Sequence, residues 1–557
     1  MYRIVIVCII TIVFIDCADG LINGKWLGND AEYKDVITSF GTVRGRVATD
    51  GDYFAFLGIP YAEPPVGKRR FKAPFPPSPW DGVYEANRTV MCPQNGVGQE
   101  DCLILNIFTP TKIINELVPV LVYIHGGSFL IGSGPTKGMD YLIKENIIVV
   151  TINYRLGALG FLCLGIDEAP GNAGMKDQVA ALEWIKRNIA NFGGDPNEVT
   201  IYGMSAGAAS VELLVLSKMS RGLFKRAIVE SASARPVWVV DGNPIKTAMD
   251  VASLLEFPKK TKNVFKLVEH YQQIPSNKLS EINYAYYNNL IDGTFGFVPC
   301  IERNFNEKQP FLVDAPHEIL VKEKFKKVPI MFMFATMEGL FLRSREYYEN
   351  NYRERMDRNF IDFMPADLNF DTIEIKNEIS ENVKSFYFGN KTISNETIVE
   401  YLNYFGDYLV LDGILNSAEI HARNNNPVYL MEFAYKGNMG SNEEFYKNIN
   451  VAGHGDIVKH AILNQPLQNE VNEKDKLTVQ RVSKLIANFV KLGNPTPTRT
   501  SLLPIIWPLV QPNNVSCLYL NHDFEVIEEP YWDRKVFWDQ LYTKFRRPLR
   551  PVNPGLL

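Results

Sequence analysis

The chain has 557 residues, 46% of them hydrophobic and 22% charged, an ordinary globular balance that excludes a disordered or fibrous protein. Lys and Arg number 58 against 63 Asp and Glu, a net charge of −5. A phosphate-binding surface wants the opposite sign, so nucleic acid is not an expected partner.

The chain opens on a positive start at Met1-Tyr2-Arg3, an almost unbroken apolar run from Ile4 to Ile15, and small residues at Ala18-Asp19-Gly20. This is the layout of a secretory signal peptide over residues 1–20, cleaved after Gly20. The run falls short of the ~20 residues that an uncleaved anchor needs. No later stretch is long and apolar enough to span a membrane, and the tail from Phe545 to Leu557 carries neither a lipid-anchor signal nor an ER-retention tetrapeptide. The expectation is a secreted, extracellular chain with no membrane span after cleavage. Sequons at Asn87, Asn390, Asn395 and Asn514 agree with glycosylation during export.

Seven cysteines are present, of which Cys8 and Cys17 lie in or beside the leader. The other five, Cys92, Cys102, Cys163, Cys300 and Cys517, are an odd number, so at least one thiol stays free or pairs with another chain. Cys92 and Cys102 close a short loop and are the expected disulfide. So small a loop gives only ~2–3 kcal/mol in the chain-entropy model, enough to shape a rim rather than hold the fold. The fate of Cys163, Cys300 and Cys517 is open.

Neither an internal repeat nor a low-complexity linker divides the sequence. Val120–Ile124 and Ile147–Ile152 are continuous, β-branched runs of the kind buried on both faces of a sheet. A helix follows Asn172, with Met175, Val179, Leu182, Ile185 and Ile189 on one stripe, and Gly193-Gly194-Asp195-Pro196 stops it. Val199–Tyr202, Val328–Phe334, Val428–Phe433 and Cys517–Leu520 are further strands. This rhythm predicts an α/β fold, a mixed and mostly parallel sheet with helices on both faces. The stretches 241–327 and 343–423 turn charged, aromatic and helical. They are expected either as insertions walling the carboxyl ends of the strands, where ligands bind in such sheets, or as surface helices without a role in binding.

Gly203-Met204-Ser205-Ala206-Gly207 stands between a strand and a helical run that begins near Ala209. A serine at such a turn is pushed clear of the sheet, and the flanking glycines let strand and helix approach closely. A serine hydroxyl needs a base, and in this arrangement the chain order is serine, acid, histidine. Of seven histidines, His454 lies in the small-residue loop Ala452–Asp456 after a strand, and Glu338 follows another strand between the two. Ser205, Glu338 and His454 are thus the expected nucleophile, acid and base, with the carboxylate orienting the imidazole. His125-Gly126-Gly127-Ser128 ends the strand Val120–Ile124. The N–H groups of Gly127, Ser128 and Ala206 are expected to hold a developing oxyanion, with Gly126 supporting the turn and His125 structural. A metal bound by His454, Asp456 and His460 lacks a third strong ligand, so neither metal nor cofactor is expected.

With these pieces in place, the chain resembles the type-B carboxylesterase family, which includes the cholinesterases, and most of all its insect esterases. The resemblance runs from about Phe56 to Trp538 and rests on Phe56–Ala62 with Pro64-Pro65, Arg70-Phe71 and Trp80, on Glu100–Leu103 with Leu105-Asn106, and on Asn153–Gly157. Gly171-Asn172, Asp177-Gln178, Phe192–Pro196 and Gly493–Pro495 also fit. It implies an α/β-hydrolase fold with helical insertions over the active site, a single domain over 21–557, the triad Ser205, Glu338 and His454, and Ser231 as a buried serine near it. Met204 stands where cholinesterases and many carboxylesterases carry Glu and juvenile hormone esterases usually carry Gln. Val451 replaces a Gly, and Ile457 a frequent acid. A quaternary ammonium wants an aromatic face, and the loop Pro93–Asp101 has none, so a neutral, apolar small-molecule ester is the expected substrate. The implied activity is two-step acyl transfer; the alternative is a catalytically inactive adhesion or ligand-binding protein on the same fold. Oligomeric state is left open.

Overall fold

The structure is a computed structural model that describes residues 33–111, 116–304, 309–342, 352–439, 449, 451–462 and 472–556. Residues 1–20, expected as a leader and holding Cys8 and Cys17, lie outside the described residues, as does the start of the second insertion. Fifteen strands are present among the described residues: β1 (Tyr33–Thr38), β2 (Gly41–Val47), β3 (Tyr53–Pro60), β4 (Val83–Glu85), β5 (Ile104–Pro110), β6 (Val118–Ile124), β7 (Ile148–Ile152), β8 (Cys163–Ile166), β9 (Ala169–Pro170), β10 (Gly194–Met204), β11 (Arg226–Glu230), β12 (Ile330–Ala335), β13 (Val428–Phe433), β14 (Ser516–Leu520) and β15 (Phe524–Glu528). The main sheet runs β1-β2-β3-β5-β7-β6-β10-β11-β12-β13-β14-β15, with β4 beside β2 and β8-β9 apart. From β7 to β14 every neighbour is parallel. The pairs β1-β2, β2-β3, β3-β5, β5-β7 and β14-β15 are antiparallel. This is the α/β-hydrolase architecture.

The apolar runs become central strands because side chains alternate across a sheet with a layer on each side. Val120, Val122, Ile124, Ile201, Val229 and Phe332 pack into one core with Val179 and Leu182 of helix α1 (Ala173–Asn188). Leu121, Tyr123, Tyr202, Ile228 and Met331 pack into the other with Leu485 and Phe489 of the helix Glu473–Leu492. Ile189 closes the predicted stripe in a 3-10 turn just past α1. Helix α2 (Ala206–Leu216) starts earlier than Ala209, directly after Ser205, and all its residues are buried.

Register decides what meets at the carboxyl edge. Gly203 pairs with Ile124 on β6 and with Val229 on β11, and Met204 with Glu230. The segments after β6, β10 and β11 therefore leave the sheet side by side. The insertions close over this edge, as the first of the two expectations had it. Ser280 Oγ accepts Gly96 N–H at 3.1 Å beside the Cys92 loop, and Trp238 Nε1 donates to Leu409 O at 2.7 Å.

Cys92 and Cys102 are bonded, and Cys163 pairs with Cys300 across 137 residues, leaving buried Cys517 free. The second bond joins β8 to the first insertion. Removing a crosslink over so long a loop should cost ~2–5 kcal/mol. The double variant Cys163→Ala/Cys300→Ala is thus expected to unfold at clearly lower urea than Cys92→Ala/Cys102→Ala; equal midpoints would contradict this.

Candidate active site

Ser205 sits between β10 and α2 with φ 57° and ψ −124°, a backbone state that a residue with a Cβ adopts only under constraint. Its N–H donates to Glu230 O at 2.8 Å and its carbonyl accepts Ala209 N–H at 3.0 Å. The flanking glycines are obligatory. A Cβ on Gly203 would fall 2.1 Å from Gly207 O, and one on Gly207 would fall 2.1 Å from Ile124 O. Ser205 and Met204 are half-buried, reachable from the carboxyl edge.

The loop after β6 lies against this turn. A Cβ on Gly126 would meet Met204 O at 2.5 Å and the Ser205 Cβ at 2.9 Å. Gly127 and Ser128 have φ 106° and 57°, and the Gly127 carbonyl is taken by the N–H groups of Leu130 and Ile131. No hydrogen bond among the described residues uses the N–H of Gly127, Ser128 or Ala206. Three donors at the strand ends are thus available to a ligand oxygen. His125 supports them from below. It is buried, its Nδ1 lies 2.8 Å from Gly126 O, and it stacks on Tyr154 at 4.4 Å, whose hydroxyl donates to His125 O at 2.9 Å. Burial pushes its imidazole down to about 4, so it is neutral at ordinary pH.

Glu338 and His454 meet across 116 residues of sequence, with Nδ1 2.6 Å from Oε2. The other Glu338 oxygen accepts Ala335 N–H at 2.7 Å, so both are engaged and the buried carboxylate is held in place. Met337 N–H donates to Ala452 O at 3.1 Å, joining the segment after β12 to the histidine loop. That loop is pinned from within: Gly453 N–H donates to Asp456 Oδ2 at 2.8 Å. Burial pushes the Asp456 carboxyl up, but Lys459 and the Gly453 N–H outweigh it and hold it below the usual range. Phe341 leans on the His454 ring at 5.2 Å. A Cβ on Gly455 would come within 3.2 Å of Met204 Cε, so the loop lies over the residue before Ser205. Ser231 is fully buried after β11 with φ 60°, its N–H on Met333 O at 2.8 Å. Its Oγ has no hydrogen-bond partner among the described residues.

The remaining predicted positions are peripheral. The Cys92–Cys102 loop reaches the rim through Gln94, whose side chain bonds both Gly132 N–H and O, at 2.8 and 2.9 Å. Asn87, Asn390, Asn395 and Asn514 are all exposed. His421 lies behind α2 with its Nε2 3.2 Å from Glu212 Oε1, and His460 Nδ1 lies 2.8 Å from Asp456 O. No group of three or more His, Cys, Asp or Glu among the described residues could hold a metal ion.

Residues 32–538 fit the carboxylesterase family model. The chain belongs to the carboxylesterase family. It is 36% identical to Esterase E4 of Myzus persicae over 501 residues, covering 86% of this chain and 89% of that protein. It is 31% identical to the juvenile hormone esterase of Tribolium castaneum over 547 residues, covering 90% and 93%. The crystal structure of juvenile hormone esterase from Manduca sexta with OTFP covalently attached superposes with a TM-score of 0.81 at 27% identity, over 92% of this chain and 100% of that one. This carboxylesterase is therefore a carboxylic ester hydrolase, and a small-molecule ester is its substrate class. No helix among the described residues is long and apolar enough to cross a membrane.

Sequence reasoning passed over Glu230 and Tyr202, which brace the serine turn, and the aromatic wall of Trp238, Phe129 and Phe295. A carboxylate directly after the apolar run Ala227–Val229 was a legible signal; the wall was not, because its residues lie far apart in the chain.

Two outcomes test the geometry. Gly126→Ala drives its Cβ into the Met204 carbonyl and the Ser205 Cβ, so the backbone must shift. It should lower the melting temperature and also lower kcat, by about 10²-fold for a displacement of ~1 Å; full activity would separate this loop from catalysis. His125 resists protonation down to about 4 when folded, whereas an unfolded imidazole takes a proton near ~6.5, so the stability it contributes is lost as pH falls through that window. His125→Gln should lose less stability than the unaltered chain between about pH 7 and about pH 5 in urea unfolding; equal losses would refute this.

Proposed function

We propose that this carboxylesterase is a secreted serine hydrolase in which Ser205, His454 and Glu338 form the catalytic triad and cleave neutral, apolar esters through an acyl-enzyme. The observation that carries the proposal is the hydrogen bond between Glu338 and His454, made by loops that also pack against the strained Ser205 turn. In this reading His454 takes the Ser205 proton as the hydroxyl attacks the ester carbonyl. Glu338 keeps the imidazole in the useful tautomer and stabilises the imidazolium without itself taking the proton. The carbonyl oxygen becomes negative within reach of the Gly127, Ser128 and Ala206 amides, with Gly126 shaping their turn. The alcohol leaves with the proton from His454, and water activated by the same imidazole cleaves the acyl-enzyme.

The preference for neutral, apolar groups is supported by the aromatic residues that adjoin the amide loop. Phe129 follows the amide loop, contacts Trp238 at 6.2 Å, and Trp238 stacks on Phe295 at 4.9 Å. Leu342, in the same short helix as Glu338, lines a small cavity with Gly293, Phe295 and Tyr408. Apolar walls of this kind suit xenobiotic, odorant or hormone-type esters. The covalent OTFP adduct of the Manduca sexta relative is the chemistry a serine nucleophile performs. The proposal includes removal of residues 1–20 as a leader, one catalytic domain over 21–557, glycosylation at the four exposed sequons, and Ser231 as a buried neighbour of the triad.

Ser205→Ala should abolish hydrolysis of a short nitrophenyl ester in a folded protein, and a fluorophosphonate should add its mass to the Ser205 peptide of the unaltered chain. Turnover by the purified alanine variant would overturn the assignment, and tight ester binding without repeated turnover by the unaltered chain would mark a ligand-binding protein instead.

A further inference from the structure

Strand β11 ends on a carboxylate where a central strand is otherwise apolar, and that carboxylate is fully buried. Burying a charge or polar group this way costs free energy unless partners satisfy it. Glu230 has three. Its backbone carbonyl accepts the N–H of Ser205 at 2.8 Å. One carboxyl oxygen bonds the Tyr202 hydroxyl, from the same strand as the nucleophile turn. The other accepts Val458 N–H at 3.0 Å across 228 residues of sequence. Val458 begins the short helix Val458–Ala461 that leaves the His454 loop.

We propose that Glu230 is a positioning residue: its carboxyl group clamps the strand end that carries Ser205 to the loop that carries His454, and so sets the distance between nucleophile and base. The inference rests on the triad reading above. Without the clamp, Val458 N–H and the Tyr202 hydroxyl lose their shared partner, and the histidine loop loses its tie to the strand end that carries Ser205. A displacement of about 1 Å at this point is enough to cost up to ~10²-fold in rate. Substrate affinity depends on the aromatic wall, which Glu230 does not touch.

The clamp also has a protonation state. The groups facing it are Tyr202 and Tyr123 from β10 and β6, Glu338 after β12, and Asp456 in the histidine loop. Burial, with Glu338 and Asp456 adding to it against the Tyr202 and Val458 donors, pushes the Glu230 carboxyl up to about 8. It is thus mostly neutral at pH 7. Above about 8 it becomes a buried negative charge beside two acidic neighbours, and it opposes the negative charge that develops on the ester oxygen at Ser205. Activity accordingly falls as pH rises through that value. A glutamine has the same shape: its carbonyl accepts Val458 N–H, its amide donates to the Tyr202 oxygen, and it does not ionise.

The test compares the full chain with Glu230→Leu and Glu230→Gln on nitrophenyl butyrate, after counting active sites with a fluorophosphonate. Glu230→Leu should lose kcat by about 10- to 100-fold with KM within about three-fold, while Glu230→Gln keeps kcat within about three-fold and shows no decline up to about pH 9.5. The proposal is overturned if Glu230→Leu keeps kcat within about two-fold, or if the Glu230→Gln and unaltered pH profiles coincide through about pH 9.5. Should the leucine variant not fold, Tyr202→Phe, which removes one partner of the Glu230 carboxyl, takes its place, and kcat within about two-fold of the unaltered chain overturns the clamp. An unaltered chain that neither turns over nor labels at Ser205 would defeat the triad reading. An active, labelled chain whose Glu230 variants behave alike defeats only the clamp.

Discussion

Ser205 is held at a positive φ that costs on the order of 1–3 kcal/mol, and much of the surrounding structure serves to impose it. Gly203 and Gly207 supply the close approach of strand, turn and helix, and the Glu230 carbonyl takes the Ser205 N–H. The same compression brings Gly126 against the Ser205 Cβ, which leaves the next amides of that loop beside the hydroxyl rather than beneath the sheet. Relaxing the turn into an ordinary strand-to-helix connection would lose the exposure of Ser205 and its closeness to the amide loop together.

Around this turn three carboxyl groups are buried within electrostatic reach of one another, and each has a different environment. Glu338 spends its oxygens on Ala335 N–H and His454. Asp456 is held ionised by Lys459 and the Gly453 N–H, which fixes the curvature of the histidine loop. Glu230 has neutral donors only, so burial prevails and it keeps its proton. Packing three full negative charges here would be costly; leaving one of them neutral reduces that cost. His125 is a further neutral group, buried under the amide loop and stacked on Tyr154, where a positive charge would go unpaired at a desolvation cost.

Much of this was legible in the sequence. The central strands β6, β7, β10, β12 and β13 were readable because strands covered on both faces are continuously apolar. The serine turn was readable because close backbone approach demands glycine at fixed positions. The strands β1 to β5 were not picked out; of these the half-exposed β1 and β4 carry a weaker pattern. Helix α2 was placed a little late, because Ala206 to Ala208 are small residues with no periodic signal. The Cys163–Cys300 pair could not be chosen over its alternatives from spacing alone, as disulfide formation depends on the distance between Cα atoms, 6.6 Å here.

By itself, then, the amino-acid order determined the strand cores, the turn that carries Ser205, the glycine-rich amide loop, and the chain order of Ser205, Glu338 and His454. These are local properties, set by periodicity and by the backbone conformations each residue tolerates. Only the tertiary structure decided that Glu338 and His454 touch, that Glu230 reaches Val458 across 228 residues, and that Trp238, Phe129 and Phe295 form one wall. The physical reason is strand register: pairing Gly203 with both Ile124 and Val229 aligns strand ends that are remote in sequence, and no local pattern encodes which ends will be neighbours.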